Sequence, residues 1–382
     1  MDNFRGYVKP GFEGVADTFM GNFEAGEELG AGFCALLGGE IVVNITGGWM
    51  DRKKTSAWGE NTLVPIYSTT KPIAALVVAH VIDGLDGVTF DTLVGEIWPE
   101  FACAGKENLT IAHVLSHQGG LVGFVDPIDP ALWLDPPALS AELAKIAPLW
   151  QPVPDGTSGY HPLSWGYLAG EIVRRIAGKS LGTVLAETFT HTDDSNAFDG
   201  IDFWIGTPAS EHERCAEIQR PRELPRLGEM NEYKRAAFGT KWSAPDRGGA
   251  IWREIEIPSA NGHGTAESVA RIYGAFAHNG MIGETQVAGD ETWADFLKVR
   301  TSGPDRVLPF DIEFAAGVMH NKTGFYGPNP NSWGHSGWGG SAALGDPDAG
   351  LSCAYVMNRQ SAYLQGDPRA QRLFAAVYDC LN

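Results

Sequence analysis

Tyr67-Ser68-Thr69-Thr70-Lys71-Pro72 lies between an extended apolar run, Thr62-Leu63-Val64-Pro65-Ile66, and a helical one, Ile73 to Ile82. A serine at the start of a helix has a residue three positions on lying on the same face. Helix N-termini carry free N–H groups and partial positive charge, which suits a serine that must hold a developing oxyanion. A lysine beside it can take the serine proton if its pKa falls well below the free value of about 10.4. Ser68 is the only serine with a lysine at this spacing. Taken alone, the motif is equally read as a helix N-cap followed by a solvated lysine.

Composition narrows the field. The 382 residues are 43% hydrophobic, enough for a large core. The charge, 28 − 47 = −19, argues against nucleic acid or anionic membrane surfaces as partners. The five cysteines are scattered without C-x-x-C spacing, as expected of reduced buried thiols. No Cys/His cluster has zinc spacing, so neither metal nor cofactor is expected. The first residues show no basic region followed by an apolar one, and no apolar run reaches about 18 residues. A cytoplasmic location is the expectation.

Outward from Ser68, the chain begins with a helix expected over 9–28, where Phe12, Val15, Phe19 and Phe23 keep helical spacing. Phe33–Leu37 and Glu40–Thr46 read as a hairpin turning at Gly38-Gly39. Residues 84–190 read as mainly helical. They include a short helix over Thr110–His117 stopped by Gly119-Gly120, a Pro/Asp-rich loop over 122–137 and a helix near 139–147. A turn cluster at Gln151–Thr157 precedes a helix from Pro162 to Gly178, and Ser180 caps another to about His191. Residues 192–258 are irregular, either a surface excursion or a pocket wall or lid. Thr265 caps an amphipathic helix ending at Asn279-Gly280. Trp333–Leu344 and Leu351–Asn358 read as two strands, and Asp367-Pro368 opens a last helix. With strands at both ends and helices between, the economical fold is an α/β (α+β) one. Residues 1–83 and 260–382 would build an antiparallel sheet flanked by helices. Residues 84–259 would form an inserted, mainly helical domain, with a substrate cleft between the two parts.

Two further segments carry chemistry. Tyr160, in Gly156-Thr-Ser-Gly-Tyr-His-Pro162, follows a turn and precedes a helix. As a phenolate it can act as a base, provided positive charge depresses its pKa of about 10; as one of ten tyrosines it is equally an ordinary half-buried ring. Gly334-His335-Ser336-Gly337-Trp338-Gly339-Gly340-Ser341 is a glycine-rich edge strand where substrate can approach backbone N–H groups. The Trp338 N–H is a candidate partner of the Ser68 N–H in an oxyanion hole. Gly334-His-Ser336-Gly-Trp338 nearly matches the Gly-x-Ser-x-Gly nucleophile elbow, but it lacks the last glycine and no helix follows. By itself His335 reads as a strand-end histidine with a satisfied hydrogen bond.

Ser68-x-x-Lys71, then Tyr160, then His335-x-Gly337 in this order resembles the serine β-lactamase/penicillin-binding-protein superfamily. The likeness is to the class C β-lactamase-like group that includes the family VIII carboxylesterases. Leu109–Leu121, Tyr160–Gly166, Ile257–Gly264 and Gly334–Arg359 also fit, so the likeness covers roughly residues 10–380 and is weakest over 192–258. It implies a β-lactamase/transpeptidase-like fold and an acyl-enzyme formed on Ser68. Lys71 and Tyr160 would shuttle the proton, the Ser68 and Trp338 N–H groups would form the oxyanion hole, and His335, Gly337 and Trp338 would contact substrate. Two departures bear on substrate. The β-lactamases of this type have Tyr-x-Asn where this chain has Tyr160-His161-Pro162, and Pro162 has no side-chain donor. Their Lys-Thr-Gly is replaced by His335-Ser336-Gly337, and a neutral histidine is a weaker anion partner. Both favour neutral esters over β-lactam carboxylates. The expected activity is therefore hydrolysis of small carboxylic esters. Alternatives on the same site are an amidase or D-peptidase, an acyltransferase or a weak β-lactamase. A catalytically silent binding or assembly protein is the rival from another class. The expected partner is a small ester or amide, with homo-oligomerisation left open.

Overall fold

The computed structural model describes residues 3–152, 157–191, 201–238 and 247–381. Among these, nine strands form one antiparallel sheet. Across the sheet they run Arg5–Val8, Glu40–Gly48, Gly30–Leu37, Leu351–Met357, Ala342–Asp346, Trp333–Ser336, Met319–His320, Asp311–Phe314 and Thr301–Pro304. The N-terminal hairpin thus pairs with the last strand of the chain, with Phe33 opposite Tyr355. Leu351–Met357 is buried along its whole length, and its side chains alternate between two cores. Cys353, Tyr355 and Met357 join Phe33 in a core covered by the helices Glu13–Glu24 and Pro368–Asp379. Ala354 and Val356 face the other core, covered by the helix Ala266–Ala277. A two-residue side-chain period sorts one strand onto two faces, so both must be apolar.

The helix Thr70–Asp83 runs behind that second core and is buried on nearly every side. It packs against Ser164–Ala177, which closes at the left-handed Gly178 (φ 69°). The caps expected at Ser180 and Thr265 are present, each side chain accepting a backbone N–H of its own first turn. The helix expected over 9–28 spans Glu13–Glu24, and the one expected near 139–147 starts earlier, at Pro136, a residue suited to a first turn.

One expectation is corrected. Trp333–Leu344 is not one strand but two, Trp333–Ser336 and Ala342–Asp346, paired as a hairpin. The glycines between them make the turn: Gly337 N–H donates to Ser341 O (2.7 Å) and Gly340 N–H to Gly337 O (3.1 Å). Gly339 and Gly340 take φ of 92° and 123°, a region that side chains resist. The short strands at 301–304, 311–314 and 319–320 were not read from the sequence, being too short to show a period. Part of the turn cluster at 151–157 and parts of 192–258 lie outside the described residues.

Candidate active site

Ser68 sits in a single 3₁₀ turn, Tyr67–Thr69, that leads directly into the helix Thr70–Asp83. The preceding residue, Tyr67, has φ of 48°, a left-handed conformation uncommon for a non-glycine residue. Such local strain persists where the surroundings hold it. Here the Tyr67 side chain is buried and its hydroxyl meets Gln360.

Lys71, one turn on, is fully buried. Its Nζ lies 3.2 Å from Ser68 Oγ, 2.9 Å from Pro162 O and 3.1 Å from Ser259 O, and 4.7 Å from the centre of the Tyr160 ring. No carboxylate pairs with it among the described residues. Burial holds its pKa well below the ordinary lysine range. The lysine is thus no solvated side chain following an N-cap. Nζ donates to all three oxygens, Ser68 Oγ and the two carbonyls, and its depressed pKa makes the ammonium readier than a free lysine to give up the proton directed at Ser68.

Tyr160 is brought beside them by its backbone. Its N–H donates to Asp305 Oδ1 (3.0 Å), the flanking Gly159 N–H to His117 O (3.0 Å), and His161 N–H to His117 Nδ1 (3.0 Å). Asp305 also accepts from Ser158 Oγ (2.6 Å) and from the N–H groups of Val307 and Leu308 (2.8 Å each). The Tyr160 ring stacks on Phe314 (6.3 Å between centres, 13° between planes), and its hydroxyl interacts with the Ser68 side chain, which favours the phenolate. Burial pushes the phenol pKa up despite that interaction, and no neighbouring cation offsets it. The condition set above for a resting phenolate is therefore not met, and Tyr160 rests as a phenol. Asp305 was not singled out from the sequence. It lies far along the chain from Tyr160, and one aspartate has no spacing to betray it.

The glycine turn of the hairpin completes the group. Ser341 Oγ donates to Ile66 O (2.7 Å) and meets Thr69 Oγ1 (3.1 Å), so the turn is fastened to both ends of the Ser68 segment. Gly337 lies so close that an added Cβ would come 2.2 Å from Ile66 O. Among the described residues, neither the Ser68 nor the Trp338 backbone N–H has a protein acceptor. Free N–H groups are uncommon away from water and mark places where an acceptor is expected. His335 is buried, with Nδ1 2.8 Å from Ser336 O and Nε2 without a partner. Burial and the nearby Lys71 push its pKa down to about 3, so the ring is neutral.

Ser68, Tyr160, His335 and Trp338 line one cavity of about 870 Å³. Leu224, Met230 and Phe238, from the irregular 192–258 stretch, form apolar wall, and Phe238 packs on Trp338 (5.9 Å). Parts of that stretch, between 220 and 238 and at Arg247 and Trp252, thus contribute to the pocket wall. Among the described residues no group of three or more His, Cys, Asp or Glu is placed to hold a metal, and no helix is long and apolar enough to cross a membrane.

The chain is similar to known proteins. The family model described as Beta-lactamase matches residues 12–376. The chain is 31% identical over 369 residues to the esterase/beta-lactamase LipL of Mycobacterium tuberculosis, covering 93% of this chain and 82% of that one. Among solved structures, a novel penicillin-binding protein homolog from Caulobacter crescentus is 45% identical, covers 99% of both chains and superposes with a TM-score of 0.92. A family VIII carboxylesterase is 38% identical, again over 99% of both chains, with a TM-score of 0.88.

Proposed function

The chain belongs to the beta-lactamase family, and we propose that within it this serine hydrolase cleaves small carboxylic esters through an acyl-enzyme on Ser68. The observation that carries the reading is Lys71: a buried amine without an acid partner among the described residues, its Nζ hydrogen-bonded to Ser68 Oγ at 3.2 Å and its pKa held well below the ordinary lysine range. An amine so depressed can serve as the base that makes the serine a nucleophile.

Ser68 Oγ attacks the ester carbonyl while its proton passes to Lys71. The carbonyl oxygen becomes an oxyanion between the Ser68 and Trp338 N–H groups, which are free to receive it. Tyr160, interacting with Ser68 and next to the Lys71 ammonium, gives its proton to the departing alkoxide and is reprotonated from Lys71. The C–O bond breaks, alcohol leaves, and water repeats the sequence on the acyl-enzyme. Preference for esters over β-lactams is supported by Pro162, which offers no side-chain amide, and by the neutral His335 in place of a lysine. It is supported as well by the relatives named for esterase activity.

The test is intact-protein mass after a fluorophosphonate, run beside p-nitrophenyl ester and nitrocefin turnover. Labelling lost in Ser68→Ala, with fast ester and slow nitrocefin hydrolysis, is the expected result. Fast nitrocefin turnover would reverse the substrate preference. No labelling and no turnover would point instead to a silent binding protein.

A further inference from the structure

We propose that Arg220, Arg247 and Arg253 form an anion-binding subsite beside Ser68, so that the preferred ester carries a carboxylate or comparable anionic group. The proposal rests on the esterase reading above and extends it to the class of substrate.

Three observations converge. Arg220 and Arg247 line the Ser68 cavity. With Arg253 they also line a neighbouring cavity of about 460 Å³, joined to the first at Tyr67, the residue before the serine. Among the described residues, the only carboxylate lining this second cavity is Glu217. It is already engaged by Arg52, whose Nε donates to Glu217 Oε1 (2.8 Å) and whose backbone N–H donates to Oε2 (3.1 Å). Among the described residues, none of the three arginines has an ion pair or side-chain hydrogen bond. Most arginines elsewhere in the chain do, as Arg174, Arg214, Arg300 and Arg369 illustrate.

In a chain of net charge −19, carboxylates are plentiful, so three cations left without one around a cavity is a local reversal of sign. Like charges brought together repel, and the cost falls when an anion joins them. Protein crowding and the charge of Arg220 lower the Arg247 pKa, while Tyr67 acts the other way. A guanidinium presents a planar fork that matches a carboxylate with two parallel hydrogen bonds. The site therefore supplies from Arg220 and Arg247 the positive charge that His335 does not supply from the hairpin. The expectation of a neutral ester, drawn from His335 and Pro162 alone, is revised: the reacting bond is an ester, and an anionic group elsewhere on the molecule anchors it.

The experiment compares matched ester pairs. Mono-p-nitrophenyl glutarate against p-nitrophenyl butyrate places the carboxylate on the acyl side. 4-Acetoxybenzoate against phenyl acetate places it on the leaving group. In at least one pair the anionic member is expected to have the higher kcat/KM. That preference should fall about tenfold or more in Arg220→Gln/Arg247→Gln, the loss of charge-assisted hydrogen bonds. It should fall also in about 0.5 M salt and be partly kept in Arg220→Lys/Arg247→Lys. A preference that is absent from both pairs, or unchanged in the glutamine variant, overturns the proposal.

Calorimetric titration of Ser68→Ala with monomethyl glutarate separates this from failure of the esterase reading. Binding that depends on the arginines without any ester turnover would keep the subsite and remove the esterase. Turnover of the neutral esters with neither anion preference nor such binding would do the reverse.

Discussion

At the scale of the residue, the site runs on two groups whose pKa values move apart. Burial lowers that of Lys71 and raises that of Tyr160, which favours the uncharged form of each. With the deprotonated amine as the proposed base, kcat/KM should fall as pH drops through the Lys71 pKa. The midpoint is expected well below the ordinary lysine value, and a pH–rate profile with its rising limb near about 10.4 would refute this. The same depression has a stability consequence. Between the folded and unfolded pKa values the unfolded chain holds the extra proton, so the contribution of Lys71 to stability rises with pH across that window. Tyr160→Phe removes the group that protonates the leaving alkoxide. Turnover should drop about 10²-fold or more with the melting transition little changed, and an unaltered rate would take Tyr160 out of the reaction. Ser68, Lys71 and Tyr160 were legible in the sequence because their order and spacing form a pattern. Asp305 and the arginines were not, because each acquires its meaning only from what folding places beside it.

At the scale of the element, the glycine hairpin turn serves as a brace for the serine turn. Both of its fastenings involve backbone: Ser341 Oγ on Ile66 O, and Gly337 packed where no side chain fits. Gly337→Ala must push the two turns apart, moving the Trp338 N–H away from the Ser68 N–H. Activity is expected to fall about 10²-fold or more, the scale of losing an oxyanion donor, while global stability falls far less. Labelling by fluorophosphonate at the wild-type rate would show that the brace is dispensable. Ser341→Ala keeps the space but leaves Ile66 O with the Thr69 N–H (3.2 Å) as its remaining donor. A loss of about 0.5–1.5 kcal/mol in urea unfolding is expected, the net value of one hydrogen bond. The sequence shows Gly337 as part of a glycine-rich run, yet it suggests a continuous strand through 344. Glycines permit both an edge strand and a turn, and only pairing with Leu351–Met357 and Met319–His320 selects the hairpin.

At the scale of the molecule, the two chain ends are locked together behind the site. Arg369, at the start of the last helix, is buried. It donates to Asp367 Oδ2 (2.9 Å), to Glu28 Oε2 (3.1 Å) and to the carbonyls of Arg359 (2.8 Å) and Gly339 (3.2 Å). Tyr355 bonds the same Glu28. One guanidinium thus connects the N-terminal hairpin, the last helix and the glycine turn that carries Trp338. Breaking a buried pair leaves charges uncompensated, so Arg369→Ala should cost about 3–5 kcal/mol in unfolding free energy. A loss near zero would mean that water replaces the arginine and that the cluster contributes little.

The sequence by itself determined the period-two strands at both ends, the capped helices and the three ordered motifs. Those properties are local or patterned: alternation, capping residues and spacing can all be read along one dimension. The tertiary structure alone decided the rest. Whether Lys71 is a base depends on its burial against the carbonyls of Pro162 and Ser259, roughly a hundred and two hundred residues away by the spacing of their numbers. Whether Arg220, Arg247 and Arg253 matter depends on their having no ion-pair partner among the described residues around the cavity, where Glu217 is already held by Arg52. A pKa and an unpaired charge are properties of surroundings, and surroundings exist only once the chain has folded.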